Sequence, residues 1–122
     1  MGNKKTIIII DDDVKSIENI KPFLQESGFI VTHINDPQLA VQIVKDMIPD
    51  LILLDIIMPE MDGFTLAKQI RYDDKLKDIP IIVSSAQEGM KELFAIEGIT
   101  DYLVKPIDRY ALLELINKRI GE

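Results

Sequence analysis

The sequence alternates between two kinds of hydrophobic pattern, and this alternation limits the fold more than any other feature. Short runs rich in β-branched and aliphatic residues occur at positions 6–10, 29–34, 51–54, 80–84 and 102–104. The segments that follow each run carry apolar residues three and four positions apart, which is the spacing of an amphipathic helix. Strands that alternate with helices in this way are typical of βαβ units and a parallel sheet. We therefore predict an α/β fold: a three-layer sandwich with a five-stranded parallel sheet and five helices.

Capping and helix-breaking residues agree with these boundaries, with one exception. Gly28 lies where the first helix should end, and Asp36 followed by Pro37 is typical of an N-cap and the first helical position. Pro22 falls inside the first helical stripe. Because an interior proline costs a helix about 3 kcal/mol, we expect a kink or a late start in that helix.

Length and composition limit the class of protein. The 122 residues have the size of one ordinary domain, so we expect a single domain over 1–122. No apolar run is long enough to span a bilayer, and the first residues lack the pattern of a secretory signal peptide. The chain has no cysteine, which excludes disulfides and thiolate metal sites. These observations predict a cytoplasmic domain without a membrane segment.

The net charge of −7 argues against direct binding of nucleic acid by this domain. Phosphate backbones are bound by clustered lysine and arginine side chains, and here acidic residues are in excess. The positions of the acidic residues are more informative than their number.

Polar residues interrupt the apolar pattern at the end of four of the five predicted strands. They are Asp11, Asp12 and Asp13 after the first run, Asp55 after the third, Ser84 and Ser85 at the end of the fourth, and Lys105 after the fifth. In open parallel α/β sheets, sites form at the carboxyl ends of the strands. We therefore expect these side chains to share one pocket.

Such a pocket suits metal-assisted phosphoryl transfer. Clustered carboxylates repel one another unless a cation compensates them, and Mg²⁺ takes oxygen ligands from one or two carboxylates and from phosphate. A lysine ammonium is a suitable point charge for a phosphoryl oxygen, and an aspartate can be the nucleophile. Taken singly, each residue also has an ordinary role as an N-cap or a loop residue. Together they predict Mg²⁺-dependent transfer of a phosphoryl group onto Asp55.

The same residues resemble the signature segments of a known family. The segments are 7–13 (IIIIDDD), 49–63 (PDLILLDIIMPEMDG), 85–86 (SA) and 101–106 (DYLVKP), in the order and spacing of the receiver domains of two-component response regulators. The resemblance covers nearly the whole chain and implies the flavodoxin-like, doubly wound topology of that family. It also implies a phosphoacceptor switch and not a turnover enzyme.

The resemblance assigns a metal site and a phosphoacceptor. Asp55 would accept the phosphoryl group from a phosphohistidine on a histidine kinase or a histidine phosphotransfer protein. Mg²⁺, with Mn²⁺ as an alternative, would be bound by Asp12 directly, by Asp11 mainly through water, by Asp55 and by the backbone carbonyl of Ile57. Asp13 would cap the first helix and would not be a ligand.

The resemblance also assigns the residues that sense the phosphoryl group. Lys105, in a cis peptide with Pro106, would pair with Asp55 and then with the phosphoryl oxygens. Ser85 would hydrogen-bond the phosphoryl group beside the amide of Ala86, and Tyr102 would turn inward as Ser85 moves. Because adjacent strand residues point to opposite faces, only one of Ser84 and Ser85 can reach the site. The resemblance of Ala86 to the family pattern favours Ser85 over Ser84.

The downstream partner would be a separate protein or a C-terminal output domain, and a phosphorylation-dependent homodimer is also open. The stretch from Ser85 to Gly98 is shorter than is usual in the family, so we expect a short or mobile fourth helix. Two alternatives remain. One is a pseudo-receiver that binds a partner without phosphorylation, although Asp12, Asp55 and Lys105 are all present. The other is an aspartyl-phosphate phosphohydrolase, which would need a second acid at the position of Ile57.

Overall fold

The computed structural model describes residues 4–55, 63–86 and 89–121, apart from the side chain of Pro37. In this part of the chain, five strands alternate with five helices. The strands are β1 (Thr6–Ile10), β2 (Ile30–Ile34), β3 (Leu51–Asp55), β4 (Ile81–Ser85) and β5 (Asp101–Val104). The helices are α1 (Val14–Glu26), α2 (Pro37–Met47), α3 (Gly63–Arg71), α4 (Lys91–Ile96) and α5 (Arg109–Ile120).

All strand pairs are parallel, and the sheet has the order β2-β1-β3-β4-β5. One hydrophobic cluster joins this sheet to α2, α3 and α4, and a second cluster joins its other face to α1 and α5. Strand β3 is buried along its whole length, which explains its uninterrupted apolar sequence. The predicted three-layer, doubly wound sandwich is confirmed. Among the described residues, no helix is both long and apolar enough to cross a membrane.

Within the described residues, aspartates cap α1, α2 and α5. Asp13 accepts a hydrogen bond from the backbone N–H of Lys15, Asp36 caps α2 in the same way, and Asp108 caps α5. The predicted N-cap roles of Asp13 and Asp36 are therefore confirmed.

Helix α1 contains Pro22 in its interior. It begins at Val14 and continues through Pro22, so of the two expected outcomes, a kink or a late start, the late start is wrong. The side chains of Ile17, Ile20 and Leu24 are buried against the sheet. Their burial keeps the helix together, since tertiary packing routinely overrides local propensity.

Ile48, at the C-terminus of α2, has a backbone conformation that is unfavourable for its side chain. Its φ of 45° and ψ of 70° lie in the left-handed region, although its N–H still donates to the carbonyl of Val44 at 2.8 Å. A β-branched residue with positive φ is a conformational outlier. Ile48 is also 47% exposed, so little hydrophobic burial compensates the strain.

Replacing Ile48 by glycine is therefore expected to raise the free energy of unfolding by about 1 kcal/mol, because glycine adopts positive φ without strain. Urea denaturation followed by circular dichroism would measure the change. Met47→Gly is a matched control, since Met47 is 43% exposed and is the last residue of α2, directly before Ile48. That variant should be destabilised by about 1 kcal/mol. Equal destabilisation of both variants would contradict strain at Ile48.

Candidate functional site

The strand register places the predicted site residues at one edge of the sheet. Asp55 ends β3 and pairs in register with Ser84, while Ser85 ends β4 and pairs with Val104. Asp11 directly follows β1, and Lys105 directly follows β5. The backbone N–H of Lys105 also donates to the carbonyl of Ser85 at 2.7 Å. The carboxyl ends of four strands thus meet where the parallel-sheet rule predicted a site.

Three carboxylates form the centre of this site. One oxygen from each of Asp11, Asp12 and Asp55 lies within 4.8 Å of the others. Asp11 and Asp55 are only 3% and 5% exposed, and Asp11 also accepts a hydrogen bond from the backbone N–H of Asp13 at 2.9 Å. Hard divalent cations take oxygen ligands of this kind. The three carboxylates therefore fit a divalent metal ion. Asp13 is not one of them, and its side chain caps α1 instead.

Lys105 supplies the positive charge beside these carboxylates. Its Nζ lies 3.1 Å from Oδ2 of Asp11 and 3.4 Å from Oδ2 of Asp55. The sequence predicted the pairing with Asp55 but not the closer contact with Asp11. The Lys105–Pro106 peptide is cis, as expected. Burial alone would lower the pKa of Lys105, but the charges and hydrogen bonds of Asp11 and Asp55 outweigh it and raise that pKa.

This raised pKa has a defined consequence for stability at high pH. A group whose pKa is higher in the folded state stabilises the fold fully below its unfolded pKa, which for lysine is about 10.4. The contribution is lost as the pH rises through the folded value. We therefore expect the stability difference between the wild type and Lys105→Met to be constant from pH 7 to 9 and to shrink above about pH 10.5. Urea midpoints at pH 8 and pH 11 would test this, and a difference that grew at pH 11 would contradict it.

Strand alternation separates the two serines. Both are buried, but Ser85 lies on the sheet face of Val83, which belongs to the cluster under α2, α3 and α4. Val83 pairs in register with Tyr102, so Ser85 and Tyr102 share that face. Ser84 lies on the opposite face, with Ile82. The arrangement favours Ser85 as the partner of Tyr102.

The remaining predicted residues lie as follows. Ala86 is exposed and lines a cleft of 460 Å³ with Lys105 and the first turns of α1. Ile57 lies outside the described residues. His33 is exposed on β2, away from the site, where its Nδ1 lies 3.3 Å from Nζ of Lys21. Tyr102 has a ring neighbour that the sequence did not reveal: Phe94 of α4, with ring centroids 6.1 Å apart.

The fold and the site define a class of protein, and comparison with known proteins gives the same result. Residues 7–117 match the family model described as response regulator receiver domain. The chain belongs to this family of two-component signalling domains.

Individual relatives support the assignment. The chemotaxis protein CheY of Bacillus subtilis is 36% identical over 94% of this chain and 97% of its own length. The protein PilH of Pseudomonas aeruginosa is 32% identical over 91% of this chain and 93% of its own. The phosphate regulon regulator PhoB of the same organism is 34% identical over 96% of this chain but only 53% of its own length. Similar domains thus occur in relatives of this size and as part of a longer one.

Solved structures agree on the fold. A response regulator from Chloroflexus aurantiacus superposes with a TM-score of 0.90 at 26% identity and covers 98% of this chain and 100% of that one. The receiver domain of a sensor histidine kinase from Pseudomonas aeruginosa PAO1 has a TM-score of 0.87 at 29% identity, with the same coverage. That protein was solved with a magnesium ion coordinated in its active site cleft.

Proposed function

We propose that residues 1–122 form a single cytoplasmic receiver domain that is switched by phosphorylation of Asp55. The phosphoryl donor is a phosphohistidine on a histidine kinase or a histidine phosphotransfer protein, and the reaction depends on Mg²⁺. The observation that carries the proposal is the buried Asp55 carboxylate, grouped with Asp11 and Asp12 within 4.8 Å and lying 3.4 Å from the Lys105 ammonium. The magnesium ion in the related receiver of a sensor histidine kinase supports the choice of metal.

In the proposed reaction, a carboxylate oxygen of Asp55 forms a bond to phosphorus as the bond between phosphorus and the donor imidazole breaks. Asp11, Asp12, Asp55 and the carbonyl of Ile57 would hold Mg²⁺, or Mn²⁺ in its place. When bound, the ion supplies positive charge that compensates the carboxylates and the phosphoryl oxygens. Asp11 and Asp12 therefore act by keeping the ion beside the nucleophile.

The other residues of the site would respond to the phosphoryl group on Asp55. The Lys105 ammonium, now shared between Asp11 and Asp55, would turn to the phosphoryl oxygens, because these add almost two negative charges. The Ser85 hydroxyl and the Ala86 amide would donate hydrogen bonds to the same group. Ser85 and Tyr102 share one face of the sheet, so a movement of Ser85 toward the phosphoryl group opens space for the Tyr102 ring.

The output is a change in affinity for a partner and not catalytic turnover. A downstream protein or a C-terminal output domain would bind one conformation better than the other, which is how a ligand shifts such an equilibrium. A phosphorylation-dependent homodimer is one form that this output could take. Nucleic acid is not expected to be a direct ligand, because the chain carries a net charge of −7.

The proposal can be tested by intact-protein mass spectrometry after incubation with acetyl phosphate. The wild type should gain about 80 Da, the mass of one phosphoryl group, only when Mg²⁺ is present. Asp55→Asn should gain nothing, because an amide is not a phosphoryl acceptor. Asp13→Asn is the matched control: it changes a neighbouring aspartate that caps α1, and its adduct should equal that of the wild type.

An adduct that persists in Asp55→Asn would place the phosphoacceptor elsewhere. No adduct in the wild type, with acetyl phosphate or with a phosphorylated histidine kinase, would favour a phosphorylation-independent pseudo-receiver. Continuous release of phosphate from acetyl phosphate at many turnovers per minute would instead favour the phosphohydrolase alternative.

A further inference from the structure

Helix α4 is short and buries little of its surface against the rest of the domain. It has only six residues, which confirms the expected short fourth helix, and Met90 at its N-cap makes no side-chain capping hydrogen bond. Phe94 is its one buried residue. Leu93 and Ile96 are 45% and 78% exposed. Short helices with little buried apolar surface are the elements that open most easily.

Phe94 connects the position of this helix to Tyr102. Its fully buried ring packs edge-on against Phe64 of α3, with centroids 5.1 Å apart, and at a tilt against Tyr102 of β5 at 6.1 Å. Aromatic pairs at these separations attract one another beyond the effect of burial. A displacement of α4 must therefore move Phe94 and change the packing around Tyr102.

A side-chain hydrogen bond ties the other end of α4 to the end of α3. The hydroxyl of Tyr72, the residue after α3, donates to Oε2 of Glu97, the C-cap of α4, at 2.9 Å. Tyr72 is 71% exposed, so burial does not determine where its side chain lies. The hydrogen bond to Glu97, together with the charge of that carboxylate, raises the pKa of Tyr72. The contact bridges two helices from residues that are 25 positions apart.

We propose that the Tyr72–Glu97 hydrogen bond is a latch that holds α4 in its unphosphorylated position, and that Phe94 transmits this position to Tyr102. Tyr72 and Glu97 are thus positioning residues for the switch, and this role rests on the proposed function of Tyr102. Opening the latch leaves Phe94 as the buried contact of α4 and makes movement of the helix easier, and such movement changes the packing of Phe94 against Tyr102. In this proposal, the hydrogen bond forms in the resting conformation and breaks in the conformation that phosphorylation favours, so its loss shifts the population toward the latter.

Hydrogen–deuterium exchange of the unphosphorylated protein tests the latch directly. Tyr72→Phe keeps the ring and removes only the hydroxyl, and amides 91–98 should then exchange roughly five-fold faster, as expected for the loss of one hydrogen bond. Exchange in α1 and α2 should not change. Glu97→Gln retains an acceptor for the hydroxyl and should exchange like the wild type, whereas Glu97→Ala should behave like Tyr72→Phe. Tyr110→Phe is the control, because Tyr110 is equally exposed at 71%.

The second measurement is the rate of adduct formation with acetyl phosphate and Mg²⁺, which should rise two- to five-fold in Tyr72→Phe, in line with the population shift. Unchanged exchange in α4 would overturn the latch. Faster exchange with an unchanged adduct rate would overturn its coupling to Tyr102, and the proposal with it. If the wild type formed no adduct, the proposed function would fail while the exchange data still decided whether the hydrogen bond holds α4.

Discussion

Replacing Phe94 by alanine is expected to lower the free energy of unfolding by about 4 kcal/mol, in the middle of the range for buried aromatic residues. The Phe94 side chain is fully buried, and no other residue of α4 is. Truncation removes its contacts with Phe64 and Tyr102 and leaves a cavity. Urea denaturation followed by far-ultraviolet circular dichroism would measure the loss.

Leu93→Ala is the matched control for this prediction. Leu93 is the preceding residue of the same helix and is 45% exposed, so its truncation should cost less than about 1 kcal/mol. If both variants lost the same small amount, the ring of Phe94 would not be packed as described. A large loss in Leu93→Ala alone would mean that α4 presents a different face to the sheet.

The difference in burial between Leu93 and Phe94 also shows that apolar periodicity does not predict which face of a short helix is buried. Leu93, Phe94 and Ile96 have the spacing of one apolar stripe in the sequence, but only Phe94 is buried. In a helix of six residues, the apolar pattern extends over less than two turns and does not distinguish one face from another. The pattern repeats over about three turns in α1 and α5, and there it indicates most of the buried residues but not all of the face. In α1, Ile17, Ile20 and Leu24 are buried but Val14 is 63% exposed. In α5, Leu112 and Ile116 are fully buried, whereas Leu113 belongs to neither hydrophobic cluster.

The sequence predicted which residues form the site better than it predicted the contacts between them. Asp11, Asp12, Asp55 and Lys105 follow strands whose apolar runs are unmistakable, and a parallel sheet brings such ends together. The closer pairing of Lys105 with Asp11 depends on strand register and side-chain conformation, which no short pattern encodes. Contacts between exposed residues distant in sequence, such as Tyr72 with Glu97, leave no periodic signal at all.

Replacing Lys105 by methionine should destabilise the metal-free protein by about 3 kcal/mol, because it removes one partner of a buried ion pair. The side chains of Lys105, Asp11 and Asp55 are 16%, 5% and 7% exposed, so water screens their charges poorly. The carboxylate oxygens of Asp11, Asp12 and Asp55 lie within 4.8 Å of one another. Without the Lys105 ammonium, the repulsion between these carboxylates would lose its compensating positive charge. Methionine keeps much of the length and volume of lysine, so the loss reports mainly on charge.

Divalent cations and a second substitution separate this electrostatic cause from a packing defect. Millimolar Mg²⁺ should stabilise Lys105→Met more than the wild type, since the ion no longer competes with the ammonium for the same carboxylates and binding adds stability in proportion to RT ln(1 + [Mg²⁺]/Kd). Adding Asp55→Asn to Lys105→Met should recover about 1–2 kcal/mol in metal-free buffer, as coupled sites do in a double-mutant cycle. If neither Mg²⁺ nor the additional Asp55→Asn substitution restored any stability to Lys105→Met, the lysine would stabilise the protein through packing and not through its charge. The three carboxylates would then not be held at the end of the sheet by charge compensation, and the strongest physical reason for a metal at this site would be lost.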